Sequence, residues 1–291
     1  MKTKSYLYII IGASLWGFIG LFVKTLAAQG FTALQIVTLR MLTAAVCITP
    51  VVYKQGKEYF HIELKDIWMF LGTGVVSVTF FTFCYFQCIQ ASSLATAALL
   101  LYTAPAFVML MSLVLFKECF TVTKGVALLA TFLGCGLVTG AFSGEMNLSL
   151  KGILLGLGSG IGYALYSIFG KYALQKYSTW TVTAYTFYFS FLSSLLVADF
   201  VHCTAEWSLS TLGGALGVGF VCAAFPYLLY TKGLEHVEAG QASILATVEP
   251  VVASLVGIVV FAEPVTWEKI AGIVLVVGSV MALNLPQKSK D

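Results

Sequence analysis

The chain has 291 residues, of which 59% are hydrophobic and 10% charged, against about 25% charged in ordinary soluble domains. A mean hydropathy of +0.93 places it in a bilayer and leaves no room for a large soluble domain. Its net charge of +3 is small and scattered over loops, which excludes nucleic acid as a partner.

Crossing a bilayer core takes about 20 apolar residues at 1.5 Å each. Cut at its polar breaks, the sequence predicts spans at 5–28, 32–53, 66–89, 93–116 and 123–142. After the polar stretch "SGEMNLSLK" five more follow, at 151–175, 179–200, 208–231, 240–261 and 266–285. The first apolar run, "SYLYIIIGASLWGFIGLFV", is too long and aromatic for a cleaved signal peptide and is expected to stay as a span.

The two sets of five repeat one another. An offset of 147 superposes Trp16 on Tyr163, Phe22 on Phe169 and Lys24 on Lys171; later an offset of 145 superposes Tyr85 on Tyr230, Pro105 on Pro250, Glu118 on Glu263 and Lys124 on Lys269. Five spans is an odd number, so the second copy must enter the membrane from the opposite side. The expected fold is therefore an all-α membrane protein of ten transmembrane helices, formed by two inverted five-helix repeats at 5–142 and 150–286. Positive residues fix the orientation. With the N-terminus in the cytoplasm, twelve lysines, Lys288 and Lys290 among them, fall on or near the inner side, and only Lys24, Lys151 and Lys269 fall outside. Both termini are expected in the cytoplasm, with the chain in the cytoplasmic (inner) membrane.

The paired segments "YFQCIQASSLATAALLLYTAPAFVMLMSLVLFKECFT" (85–121) and "YTKGLEHVEAGQASILATVEPVVASLVGIVVFAEPVT" (230–266) resemble the drug/metabolite transporter superfamily, specifically its EamA-type ten-span carriers. That resemblance implies a secondary transporter with a central cavity lined by spans one, three, four, six, eight and nine. Its implied partners are a small-molecule substrate and the lipid bilayer.

Glu249 stands about nine residues, or ~14 Å, into its span, where an ionisable group costs about 3 kcal/mol unless it faces protein or water. Ala242, Ala246 and Ala253 share its helical face, which suggests a carboxylate looking into a cavity as a substrate and coupling group; the bland alternative is a glutamate bonded to backbone loosened by Pro250. Pro105, Pro226 and Pro250 lie mid-span, where a missing N–H frees a carbonyl; they read as hinges or as packing kinks. Trp16, Phe81, Tyr85, Tyr102, Tyr163, Tyr166, Tyr227 and Tyr230 fall on the cavity-lining spans and are candidate substrate contacts, their faces and hydroxyls suited to flat or cationic groups. Arg40 either reaches the outer interface, caps carbonyls, or pairs with Glu249 or a substrate carboxylate. Lys24 and Lys171 read as interfacial anchors.

Seven cysteines show no metal-like spacing with histidine; Cys84 and Cys88 share a helix face but lack further ligands. No phosphate-binding glycine loop is present, so no cofactor is expected and energy must come from a gradient, with protons a candidate partner. The small-x-x-x-small spacings Ala130–Gly134, Gly136–Gly140 and Gly278–Ala282 suit scaffold packing or a homodimer. The function expected is secondary active transport of an amino acid or related metabolite by alternating access, as proton-coupled export. The alternatives are carriage of an organic cation with Glu249 as counter-ion and, remotely, a non-transport membrane subunit. His61, His202 and His236 lie apart, so no catalytic constellation is expected.

Overall fold

The computed structural model describes residues 2–142 and 149–284. The break expected at 143–148, the ends of the tenth span and second repeat at 285 and 286, and Lys288 and Lys290 lie outside them. The described chain is all-helical. Eight helices are long and apolar enough to cross a membrane: α1 Thr3–Ala28, α2 Ala33–Gln55, α3 Leu64–Ala91, α4 Leu94–Leu115, α6 Leu150–Ala173, α7 Thr179–Val197, α8 Leu209–Leu234 and α9 Ala239–Phe261. Two shorter apolar helices complete the set, α5 Val122–Val138 and α10 Trp267–Asn284. This is a multi-pass membrane protein.

Helix starts follow the polar punctuation. Thr32, Ser93, Thr121, Ser149, Ser178 and Ser208 each accept a hydrogen bond from the backbone N–H three residues on, so each satisfies a donor that the first helical turn leaves free. At the opposite end of α4 and α9 the chain turns through left-handed residues at Lys117 (φ +54°) and Ala262 (φ +51°), positions again 145 apart.

Five helices depart from regular winding at places that matter. α4 breaks at Tyr102–Thr103 and resumes at Ala104–Leu115; α9 breaks at Ala246–Thr247 and resumes at Val248–Phe261. Pro105 and Pro250 are not mid-helix kinks, because each stands in the first turn of a resumed half-helix, where a missing N–H costs nothing. α3 is wound as π-helix over Gly72–Thr79 and α8 over Gly217–Ala224. Pro226 stands two residues past the end of the second of these. α1 also breaks, between Trp16 and Ile19, whereas α6 runs unbroken.

Every main packing partnership has a counterpart when helix numbers are exchanged by five. α1 packs on α8 and α6 on α3; α2 on α8 and α7 on α3; α1 on α9 and α6 on α4; α2 on α7, α4 on α9 and α5 on α10 pair with themselves. Small residues carry the closest crossings. A Cβ at Gly12 of α1 would lie 2.8 Å from the Pro226 carbonyl oxygen of α8, and one at Gly134 of α5 would lie 2.9 Å from the Gly272 carbonyl oxygen of α10. The α5 small-residue stripe is thus used at least partly inside the chain, while a Cβ at Gly278 would meet open space.

Candidate functional site

A cavity of about 390 Å³ lies between α1, α2, α3, α4, α6, α8 and α9. Seven of the nine side chains singled out from the sequence line it: Trp16, Phe81, Tyr85, Tyr102, Tyr163, Tyr227 and Glu249. The other two, Tyr166 and Tyr230, stand one layer behind, around a narrow void shared with Trp16, Phe81, Tyr163 and Tyr227. There the Tyr166 hydroxyl is 2.6 Å from Thr231 Oγ1 and the Tyr230 hydroxyl 2.7 Å from Ser167 Oγ. These two tyrosines back the cavity wall and do not face the cavity.

The rings hold one another edge to face. Trp16 contacts Tyr227 at 5.1 Å between centroids and 68° between planes, and Tyr163 at 6.4 Å and 73°; Phe81 meets Tyr163 at 5.6 Å and 88°. Such pairs each contribute about 0.5–1.5 kcal/mol beyond burial, so the wall is preformed. Trp16 Nε1 is buried with no hydrogen-bond partner among the described residues.

Glu249 reaches the cavity because α9 breaks just before it. The carboxylate belongs to the first turn of Val248–Phe261, at the positive end of that half-helix, and Tyr163 donates to its Oε2 at 3.2 Å. The small-residue face expected around it does not form. Ala242 and Ala246 are buried before the break, and a helical face is not continuous across such an interruption; the walls are aromatic instead.

Arg40 lines the same cavity, but makes no ion pair with Glu249 among the described residues. It is buried, and its Nη2 donates to the Cys222 carbonyl at 2.7 Å. Pro226, four residues on, has no N–H to offer that carbonyl, and Arg40 supplies a donor there. Of the roles open to Arg40 in the sequence, capping a carbonyl is the one realised. Its guanidinium also stands 5.9 Å from the Tyr227 ring.

The two lysines expected as anchors do more. Lys24 is at the cavity mouth with Ile89 and Leu94, while Lys171 donates to the carbonyls of Leu234 at 2.8 Å and Val237 at 2.7 Å. The contribution of α2 went unread, although Ala33, Ile36, Val37 and Arg40 stand at i, i+3, i+4 and i+7, the spacing of one helical face. Phe81, Tyr85 and Ile89 form a similar stripe on α3.

The model of the EamA-like transporter family matches residues 3–140 and again 150–285. The chain belongs to this family. Among its EamA relatives, an uncharacterized transporter of Archaeoglobus fulgidus is 29% identical, over 94% of this chain and 93% of that one. The uncharacterized transporter YwfM of Bacillus subtilis is 25% identical, over 100% and 97%. The uncharacterized inner membrane transporter YicL of Salmonella typhimurium is 23% identical, over 99% and 97%. One solved crystal structure shares the fold with a TM-score of 0.84, covering 97% of this chain and 96% of that one at 16% identity. This EamA protein is a transporter and not an enzyme.

Proposed function

We propose that this transporter moves a small organic solute, an amino acid or related compound, out across the cytoplasmic membrane by alternating access, in exchange for protons. The proposed frame is ten spans in two inverted repeats, 5–142 and 150–286, with both termini in the cytoplasm. Its support is the exchange of packing partners by five, together with the matched breaks and π-turns. The inner-membrane location leans on the name of the YicL relative.

The observation that carries the reading is a carboxylate in a cavity lined by aromatic and aliphatic side chains together with Arg40 and Lys24, at a depth where lipid alone would not tolerate it. One site that binds a proton or a solute, but not both, couples their opposite movements. A proton moving inward releases about 2.3 kcal/mol per 100 mV, enough for roughly fiftyfold accumulation. The substrate-contact role falls to the seven cavity-facing residues, with Pro105, Pro226 and Pro250 as hinge points beside the helix interruptions.

Carriage of a simple organic cation on Glu249 is the second reading, favoured by the aromatic faces. Arg40 and Lys24 in the same cavity weigh against it, since two positive groups suit a solute that carries a carboxylate as well as an amine. The test is Glu249→Gln in proteoliposomes, on solutes found by thermal-shift screening of amino acids, amines and nucleobases. Flux driven by a pH gradient should be abolished while solute–solute exchange persists. Loss of cation binding itself, with no pH effect in the parent protein, favours the counter-ion reading; transport unchanged on every solute removes Glu249 from both.

A further inference from the structure

The two ends of the bundle carry matching residues but not matching contacts. Where α6, α8 and α9 meet, Lys171 holds the carbonyls of Leu234 and Val237. Beside it, the Glu118 carboxylate accepts from the N–H groups of Ala239 at 2.7 Å and Gly240 at 3.1 Å, and Lys124 pairs with Glu238. These bonds tie the ends of α4 and α6 to the α8–α9 turn and shut the bundle on that side.

By the repeat offsets, the counterparts at the other end are Lys24 for Lys171 and Glu263 for Glu118. Ile89, Ser92, Leu94 and Ala95 stand for Leu234, Val237, Ala239 and Gly240. None of the counterpart bonds is made among the described residues. Lys24 Nζ lies 3.4 Å from the centre of the Phe261 ring, Glu263 is exposed and takes Lys269 at 3.0 Å, and Lys24, Ile89 and Leu94 rim the open cavity.

One other end contact is made at both ends. The start of α3 is tied to the α6–α7 turn by Lys176 with Glu63 and Asp66. Correspondingly, the start of α8 is tied to the α1–α2 turn, where the Ser208 hydroxyl donates to Gln29 Oε1 at 3.2 Å and Glu206 N–H to the Gln29 carbonyl at 2.9 Å.

We propose that Lys24 and Glu263 are the unfastened half of a two-ended latch. When the mouth closes, Lys24 donates to the carbonyls of Ile89 and Ser92 and Glu263 accepts from the N–H groups of Leu94 and Ala95, while Lys171 and Glu118 let go at the far end. The inference rests on the alternating-access reading above. Its chemistry is that of the bonds already formed: a lysine on carbonyls that a helix end leaves free, and a carboxylate on free N–H groups. Because the lysine–carbonyl and carboxylate–N–H bonds lost at one end are replaced at the other, neither state is a deep trap, which a cycling carrier requires; the Lys124–Glu238 pair has no such replacement, since Ser93 stands for Glu238.

The test uses the full-length chain with its seven cysteines replaced and one cysteine placed at Val23 in the mouth or at Val237 at the shut end. Each is labelled with an impermeant maleimide from either side of membrane vesicles. Lys171→Ala should slow labelling at position 23 severalfold and speed it at position 237; adding Lys24→Ala should reverse both. If Lys171→Ala switches sides and Lys24→Ala reverses nothing, the latch is wrong and alternating access stands. If no variant changes which position reacts, the latch is wrong too; alternating access itself fails if a transported solute never shifts labelling between the two positions in the parent protein. As a check that needs no lysine variant, cysteines at Leu94 and Glu263 should form a disulfide under copper-phenanthroline, as should cysteines at Glu118 and Ala239. Failure of the first pair alone overturns the latch.

Discussion

Arg40 is buried in α2 with its guanidinium on the Cys222 carbonyl, an acceptor to which Pro226 has no N–H to donate. Leaving a buried acceptor unsatisfied costs about 1–3 kcal/mol. Arg40→Ala should therefore lower thermal stability in detergent by that amount, and Pro226→Ala, which restores an N–H, should recover part of it. Equal losses in both backgrounds would mean that the carbonyl is served otherwise. Glu249 was legible as a cavity residue because its depth alone demands a polar setting. The partner of Arg40 was not, because it is a backbone atom on another helix and no side-chain pattern announces it. The alanines beside Glu249 misled for a related reason: a helical face can be read only where the helix is continuous.

At the scale of elements, the tie between the start of α3 and the α6–α7 turn is ionic. Lys176 Nζ stands 2.5 Å from Glu63 Oε1 and 2.6 Å from Asp66 Oδ2, and Lys65 stands 2.7 Å from Glu63 Oε2. Hydrogen bonding from Lys176, then from Lys65, holds the Glu63 carboxyl below the usual carboxylate range, while Asp66 and then Glu63 raise the Lys176 ammonium above its own. A depressed acid stabilises above its unfolded value, about 4.3, and a raised base below its unfolded value, about 10.4. The tie is thus fully present between those limits. It weakens as pH falls through the lowered Glu63 value or rises through the raised Lys176 value. Melting temperatures of the parent and Glu63→Gln should differ modestly at pH 7 and converge below about pH 4; a gap that persists in acid would contradict this. Helix starts and spans were legible from caps and apolar runs. The π-turns and the breaks in α1, α4 and α9 were not, since their residues are as apolar as the regular turns around them; only the prolines hinted at three of the sites.

For the whole molecule, native cysteines offer a direct test of inversion. Cys119 is exposed in the α4–α5 turn and Cys203 lies partly exposed between α7 and α8. The ten-span reading puts the first inside and the second outside. Impermeant maleimide should label Cys203 in intact cells and Cys119 only in inverted vesicles; both reacting from one side would end the inverted arrangement. The duplication was legible because matching residues keep a gapless offset across long stretches. Which end stands open was not, because that is a choice between two arrangements of one sequence and depends on small energy differences.

A π-turn is an α-turn holding one residue too many, a rare widening of the helix that is frequent at functional sites. Here the bulges at Gly72–Thr79 and Gly217–Ala224 sit at the same place in both halves. The simplest history has the surplus residue arriving once, in a half-length ancestor, before its gene was copied and joined to itself.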